Sequence, residues 1–297
     1  MMLGTSIWSR FIEFPFYQNA LIAGLAMAVA CAVLSVFVVY KRMAFIGQGI
    51  SHAAFGGVGA ALLLQVYLPA FEAPALRDAV IGAFCIGTAL LIGRFSRGRR
   101  VTEDSAIGIC LVAAMALGML LLDLRKGMGY APPFHGILFG SILHIARGAV
   151  WAACVEAALV VVLVFAFFKE LVFFTCDEEA AEVFGVRTGL IYYGLLACVA
   201  LTIVVAMRLL GVILCSALLI LPGATASLWS HHIRRVMVIA VASAAASVAA
   251  GLFLAIATRT LSTGPLIVLV MAALFAASWA VNALLDRIRT RAGEGGG

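Results

Sequence analysis

Long apolar runs separated by short polar joins are the main pattern of this chain. Most of the runs approach the roughly 20 residues that an α-helix needs to cross a bilayer. They occupy residues 19–39, 52–69, 78–95, 105–122, 147–168, 189–207, 210–228, 236–257 and 265–285. Because the runs do not alternate in polarity as the strands of a membrane barrel do, helices are expected. The pattern predicts an all-α, polytopic integral membrane bundle of about eight or nine transmembrane helices.

Two places leave the number of crossings open. The stretch 129–145 is interrupted by Pro132, Pro133 and several glycines. We interpret it as a re-entrant or broken helix, which a membrane tolerates only where protein or water surrounds the backbone. The join at Arg208–Gly211 is so short that the two runs on either side of it are interpreted either as two helices or as one.

Composition and charge support a membrane protein. Hydrophobic residues make up 65% of the chain and charged residues 11%, whereas a soluble domain carries roughly 25% charged residues. The net charge of +6 falls mainly in basic clusters between the apolar runs. This pattern is typical of membrane orientation, and we expect no nucleic-acid partner. The clusters that we place in the cytoplasm are Lys41 and Arg42, residues 94–100, the loop 169–187, Arg234 and Arg235, and residues 287–291.

That placement predicts an external N-terminus and a cytoplasmic C-terminus. We expect one transmembrane domain over residues 1–291, which includes the cytoplasmic loop 169–187, followed by a flexible tail at 292–297. The sequence contains no H-E-x-x-H, G-x-S-x-G or G-x-x-x-x-G-K-[ST] motif. We therefore predict a transport subunit rather than an enzyme, without an ATP-binding P-loop of its own.

A glycine-rich segment before the second apolar run carries the first candidate site. Gln48, Ser51 and His52 lie there at the predicted entrance of a span, and Ser51 is placed to cap a helix that begins near His52. An ionisable residue at membrane depth is a functional candidate by default, and imidazole binds transition metals. The alternative is a histidine whose hydrogen bonds are satisfied by a neighbouring carbonyl.

An acidic segment between the fifth and sixth runs carries the second candidate site. Thr175 and Glu178 have the spacing of a capping box, and Gly185 is a suitable helix stop. These signals predict a short amphipathic helix of about nine residues. A solvated connecting helix is the ordinary interpretation, but acidic charge on the basic cytoplasmic side favours a docking surface. The acidic positions are Asp177, Glu178, Glu179 and Glu182.

Four further residues are weaker candidates. His135 and His144 lie in the stretch 129–145 and Asp123 just before it, so they are candidates for lining an external access path. A structural role is the alternative for each of them. Pro222 lies inside an apolar run and is expected to kink or break its helix.

Four segments together resemble one transporter family. They are R-M-A-F-I-G-Q-G-I-S-H-A at 42–53, F-G-S-I-L at 139–143, E-V-F-G-V at 182–186 and G-V-I-L-C-S-A-L-L-I-L-P-G-A-T-A at 211–226. In this order they resemble the permease subunits of zinc-, manganese- or iron-type ATP-binding-cassette (ABC) importers. The resemblance covers most of the chain.

The resemblance implies a multi-pass protein of the bacterial inner membrane that works as a dimer, and a homodimer is expected. It implies two cytoplasmic ATPase subunits and an extracytoplasmic metal-binding protein as partners, with membrane lipid around the permease. No permanently bound cofactor is expected, only the transported divalent ion. By the same resemblance Gln48, Ser51 and His52 match the pore-side motif. The residues that match the ATPase-coupling region are Thr175, Asp177, Glu178, Glu179, Glu182, Phe184 and Gly185.

The sequence departs from the family at Gln48, where an Asp is common. A neutral amide oxygen is a weaker ligand than a carboxylate for such cations. The residues leave three alternatives open: a permease for haem or a siderophore, a carrier driven by an ion gradient, and a purely structural membrane subunit. For the carrier, Glu156 is the acid that lies well inside a predicted span.

Overall fold

The computed structural model describes residues 11, 15–68, 71, 73–97, 101–125, 147–258 and 262–294, and there is no strand among them. The helices are α1 (Pro15–Tyr40), α2 (Ile46–Tyr67), α3 (Pro74–Arg97), α4 (Glu103–Arg125), α5 (Arg147–Ala166), α6 (Phe168–Cys176), α7 (Glu178–Val183), α8 (Thr188–Leu210), α9 (Val212–Ser227), α10 (Ile233–Thr258) and α11 (Thr263–Glu294). Within the described ranges, eight helices are long and apolar enough to cross a membrane, namely α1 to α5, α8, α10 and α11. The predicted multi-pass helical bundle is confirmed.

Helix α1 forms the centre of the bundle. It is the most buried of the eight spans, and α5, α9 and α10 pack around it. The sequence of α1 is apolar almost throughout, so each of its sides is able to pack against a neighbouring helix. Helix α11 is the least buried span and packs at the periphery against α9 and α10.

Helix α2 belongs to a tightly packed group with α3 and α4. A Cβ on Gly59 would lie 2.7 Å from the carbonyl oxygen of Gly118, and a Cβ on Gly118 would lie 2.7 Å from that of Phe55. Small residues allow this approach of two backbones, which is a common basis of helix association in membranes. The glycines therefore fix the position of α2 against α4.

A single residue separates α8 from α9. Gly211 has φ +86°, a conformation that glycine adopts without a steric penalty. The short join at Arg208–Gly211 is thus a boundary between two helices. Arg208, near the end of α8, forms an ion pair with Asp78 in the first turns of α3. Helix α9 is apolar but shorter than the eight long spans.

Three other sequence predictions concern the ends and interruptions of helices. Helix α9 continues through Pro222, so this residue does not break it. Helix α11 runs to Glu294, so it extends three residues into the predicted tail 292–297. The predicted re-entrant or broken stretch 129–145 lies outside the described residues.

Candidate functional site

Helix α2 starts earlier than its hydrophobicity predicts. It begins at Ile46, so Ser51 lies inside the helix and the prediction that it caps a helix start near His52 is wrong. Tertiary packing is the physical reason. Gly47 lies against the Leu219 side chain and Gly49 against the Ile107 side chain, and these contacts hold a glycine-rich turn that is weakly helical by itself.

Gln48 and His52 lie on one face of α2. They are four residues apart, which places them one turn from each other. Gln48 is exposed and His52 is half-buried. The Nδ1 atom of His52 is buried and has no hydrogen-bond partner within the described chain, and the imidazole is stacked on Phe55 at a centroid distance of 6.2 Å. The alternative of a histidine satisfied through this nitrogen is therefore not supported.

Ser51, unlike Gln48 and His52, is fully buried and lies away from their exposed face. Its hydroxyl finds no hydrogen-bond partner among the residues described. The same part of the chain contains no group of three or more His, Cys, Asp and Glu side chains suited to hold a metal ion. One copy of the chain thus offers an imidazole and an amide one turn apart, which is a weak set of ligands.

The acidic segment forms two short helices instead of one. Helix α6 continues to Cys176, and the Thr175 hydroxyl donates to the carbonyl of Leu171 at 2.6 Å. The predicted capping box at Thr175 and Glu178 is therefore wrong. Asp177 caps α7, because its carboxylate accepts the backbone N–H of Ala180 at 2.9 Å. Since the cap lies two residues later than predicted, α7 has only six residues.

The predicted stop at Gly185 is confirmed. Gly185 has φ +84°, and its N–H donates to the carbonyl of Glu182 at 3.0 Å. The N–H of Val186 donates to the carbonyl of Ala181 at 3.0 Å. These two bonds form a Schellman motif, which ends α7 and directs the chain towards α8.

Glu178 and Glu182 bind to the transmembrane bundle. The Glu178 carboxylate lies 2.8 Å from the Lys41 ammonium, which also lies 3.8 Å from the centroid of the Phe174 ring. The Glu182 carboxylate accepts the Thr188 hydroxyl at 2.6 Å and lies 3.8 Å from the Arg97 guanidinium. Lys41 and Arg97 were not among the predicted site residues. No spacing rule links Lys41 to a partner 137 residues away.

The opposite side of the segment faces outward. Val183 is 85% exposed and Phe184 is 78% exposed. Glu179 is exposed as well, but it also lines the cavity between α7 and the bundle. Between α7 and the bundle lies a polar cavity of about 320 Å³, lined by Ser96, Arg97, Glu103, Glu178, Glu179, Glu182 and Tyr192. The segment thus has a bonded inner face and an outer face with two large apolar side chains.

The remaining candidates are only partly described. Asp123 is exposed near the end of α4. His135 and His144 lie outside the described residues, so the predicted external access path stays a prediction. Glu156 is 6% exposed inside α5, and one of its carboxylate oxygens accepts the Thr202 hydroxyl of α8 at 2.6 Å.

Comparison with known proteins identifies relatives over nearly the whole chain. The profile of the ABC 3 transport family matches residues 13–282. "Manganese transport system membrane protein MntC" of Halalkalibacterium halodurans is 32% identical over 92% of this chain and 89% of its own length. "Probable iron transport system membrane protein" of Haemophilus influenzae is 32% identical over 94% of this chain and 97% of its own length.

Two solved structures share the fold. One is PsaBC from Streptococcus pneumoniae in complex with Fab, in which the matched chain is 28% identical with a TM-score of 0.76. The match covers 92% of this chain and 94% of that one. The other is a metal-chelate type ABC transporter in an inward-facing conformation, 18% identical with a TM-score of 0.60 over 89% of this chain and 85% of that one. The second likeness supports the fold alone.

Proposed function

Because this chain belongs to the ABC 3 transport family, we propose that it is the membrane-spanning permease subunit of an ATP-driven importer of divalent transition-metal ions. The ion is zinc, manganese or iron. A separate cytoplasmic ATPase drives alternating access of the pathway, and an extracytoplasmic binding protein delivers the ion. The manganese and iron transport systems to which similar proteins belong support a metal as substrate.

The contact between α7 and the start of α2 carries this proposal. Lys41 lies in the turn between α1 and α2, and it is bonded to Glu178 on α7. The same turn leads directly into the helix that holds Gln48 and His52. A displacement of α7 by a partner ATPase would therefore move Lys41, and with it the start of α2. This arrangement connects the two candidate sites mechanically.

Gln48 and His52 are suited to a transient ion site in a dimer. We propose that the exposed face of α2 meets the same face of a second copy, which brings two imidazoles and two amides to a common axis. Imidazole and amide ligands bind these cations more weakly than a set of carboxylates or thiolates does. Weak binding suits a pathway, since an ion that binds too tightly is not released.

Metal uptake by the complete importer tests the role of His52. In proteoliposomes that contain the permease, its ATPase and the binding protein, we expect His52→Ala to lower metal uptake about tenfold or more. The ATPase should remain bound in a pull-down. His232→Ala is the matched control, because His232 is exposed in the loop before α10 and lies outside the proposed path. Normal uptake by His52→Ala would remove His52 from the path.

The energy source separates the proposal from a gradient-driven carrier. We expect uptake to stop when ATP is omitted from the vesicles and to continue when an uncoupler abolishes the proton gradient. The opposite pattern would contradict an ABC importer. Competition by free metal ions, but not by haem or a siderophore, distinguishes an ion permease from a chelate permease.

A further inference from the structure

A deep apolar groove runs along the outside of the bundle between α5 and α10. Both helices pack against α1, and Val29 and Val33 of α1 line the groove between them. The groove has a volume of about 1040 Å³. Its walls contain the small residues Ala166, Ala242 and Ala245. These short side chains leave room that larger side chains would fill.

One end of the groove is basic. Lys169 and Arg234 line it there, together with Glu170. Both basic side chains are exposed, and neither forms an ion pair with a carboxylate in the part of the chain that the structure describes. The Arg234 guanidinium lies 6.0 Å from the centroid of the Phe168 ring. Two cations beside one carboxylate leave the mouth of the groove positive.

The position of this mouth matches the surface of a bilayer. Lys169 follows the end of the spanning helix α5, and Arg234 lies at the start of the spanning helix α10. The apolar part of the groove is therefore at the depth of the lipid chains, and the basic mouth is at the depth of the headgroups. The positive-inside pattern assigns this end to the cytoplasm, where membranes carry anionic lipids.

We propose that the groove is a binding site for an anionic phospholipid. The acyl chains lie along Val29 and Val33 between α5 and α10, and the phosphate is held by Lys169 and Arg234. Basic pockets between membrane helices on the cytoplasmic side recognise lipid headgroups in this way. A second protein copy fits less well, because an apolar helix in the groove would leave the net positive charge of the mouth unneutralised.

Lipid retention measured by native mass spectrometry tests the proposal. The purified permease–ATPase complex is equilibrated with equal amounts of phosphatidylglycerol, phosphatidylethanolamine and phosphatidylcholine. We expect the wild type to retain phosphatidylglycerol preferentially. A basic residue placed beside an anionic headgroup contributes roughly fivefold to lipid binding. The double variant Lys169→Gln/Arg234→Gln should therefore reduce the preference by roughly 25-fold.

Arg235 provides a matched control for Arg234. The two residues are neighbours with the same charge, both are exposed, and only Arg234 lines the groove. Arg235→Gln should leave the preference within about twofold of the wild type, whereas Arg234→Gln should lower it about fivefold. Equal losses in the two variants would show a general surface-charge effect and would overturn the proposal. Equal retention of the three lipids by the wild type would overturn it too.

A second variant tests the apolar part of the groove. Ala245→Trp fills the space between α5 and α10 and should reduce retention of every phospholipid at this site. Its thermal midpoint and its binding of the ATPase report whether the bundle remains intact. Unchanged lipid retention in an intact Ala245→Trp complex would place the bound lipid elsewhere. None of these outcomes depends on the proposed metal path.

Discussion

A buried polar side chain inside the bundle needs a hydrogen-bond partner, and Thr202 provides one for Glu156. Glu156 is 6% exposed, and its hydrogen bond to Thr202 joins α5 to α8. Replacing Thr202 by Val keeps the shape but removes the donor. Because a buried polar group is then left unsatisfied, we expect Thr202→Val to lower the free energy of unfolding by about 1–3 kcal/mol.

The thermal midpoint of the detergent-solubilised permease measures this effect. Thr202→Ser is the control, because it keeps the hydroxyl and should retain most of the stability. If Thr202→Val has the same thermal midpoint as the wild type, the hydrogen bond between Glu156 and Thr202 does not contribute to stability.

The residue scale is also where sequence patterns were least reliable. Gly185 could be predicted as a helix stop because a left-handed backbone position strongly favours glycine. The caps at Ser51 and Thr175 were wrong, since a capping residue acts only at the actual start of a helix. Packing against other helices decides that start. Asp177, two residues after the predicted Thr175, is the residue that provides the cap.

At the scale of elements, helix α7 has two faces with different predicted roles. The inner face is bonded to the permease through Glu178 and Lys41, and the outer face exposes Val183 and Phe184. We expect Val183→Asp to release the ATPase in a pull-down, because it places a charge in an apolar contact. Metal uptake should fall with it. Retention of the ATPase by Val183→Asp would show that the contact lies elsewhere.

The inner face gives a separate prediction. Glu178→Lys opposes Lys41 with a like charge at a site where the two groups are 2.8 Å apart. The pair is partly buried, since the Lys41 side chain is 13% exposed and the Glu178 side chain 40%. The reversal should therefore cost more than the roughly 1 kcal/mol of a surface ion pair, and the thermal midpoint together with an ATPase pull-down checks that the permease still folds and binds its partner. We expect less metal transported per ATP hydrolysed. The charge swap Lys41→Glu/Glu178→Lys should restore part of the coupling, although it loses the contact of Lys41 with Phe174. No recovery in the swap would argue against transmission through this pair.

The spanning elements themselves were largely predictable. Runs of apolar residues long enough to cross a bilayer identified all eight long helices, because lipid imposes helical hydrogen bonding on the backbone. Their ends were less predictable. The pattern placed the start of α2 six residues late, since Gly47 and Gly49 are weak helix formers until neighbouring helices enclose them. The ion pair between Lys41 and Glu178 could not be predicted, because it depends on how distant helices pack.

At the scale of the whole molecule, one chain presents half of the proposed pathway. Gln48 and His52 lie on one face of α2, where Gln48 is exposed and His52 is half-buried in a single copy. An amide and an imidazole are too few ligands for a transported cation, whereas two copies facing each other provide four. The proposed function therefore requires a dimer in which the two α2 helices are close at Gln48.

Disulfide cross-linking tests this geometry. In a Cys176→Ser background, which removes an exposed native thiol, oxidation should join two copies of Gln48→Cys into a covalent dimer and block metal uptake. A reductant should reverse both effects.

Val238→Cys is the matched control, since Val238 is 69% exposed on α10 but lies on a helix that packs against α1, α9 and α11. Cross-linking at Val238 but not at Gln48 would place the dimer interface over the apolar groove, and it would contradict both the shared metal axis and the phospholipid site. Cross-linking at Gln48 alone is expected, because the exposed face of α2 is the one that needs a second copy to complete a set of ligands.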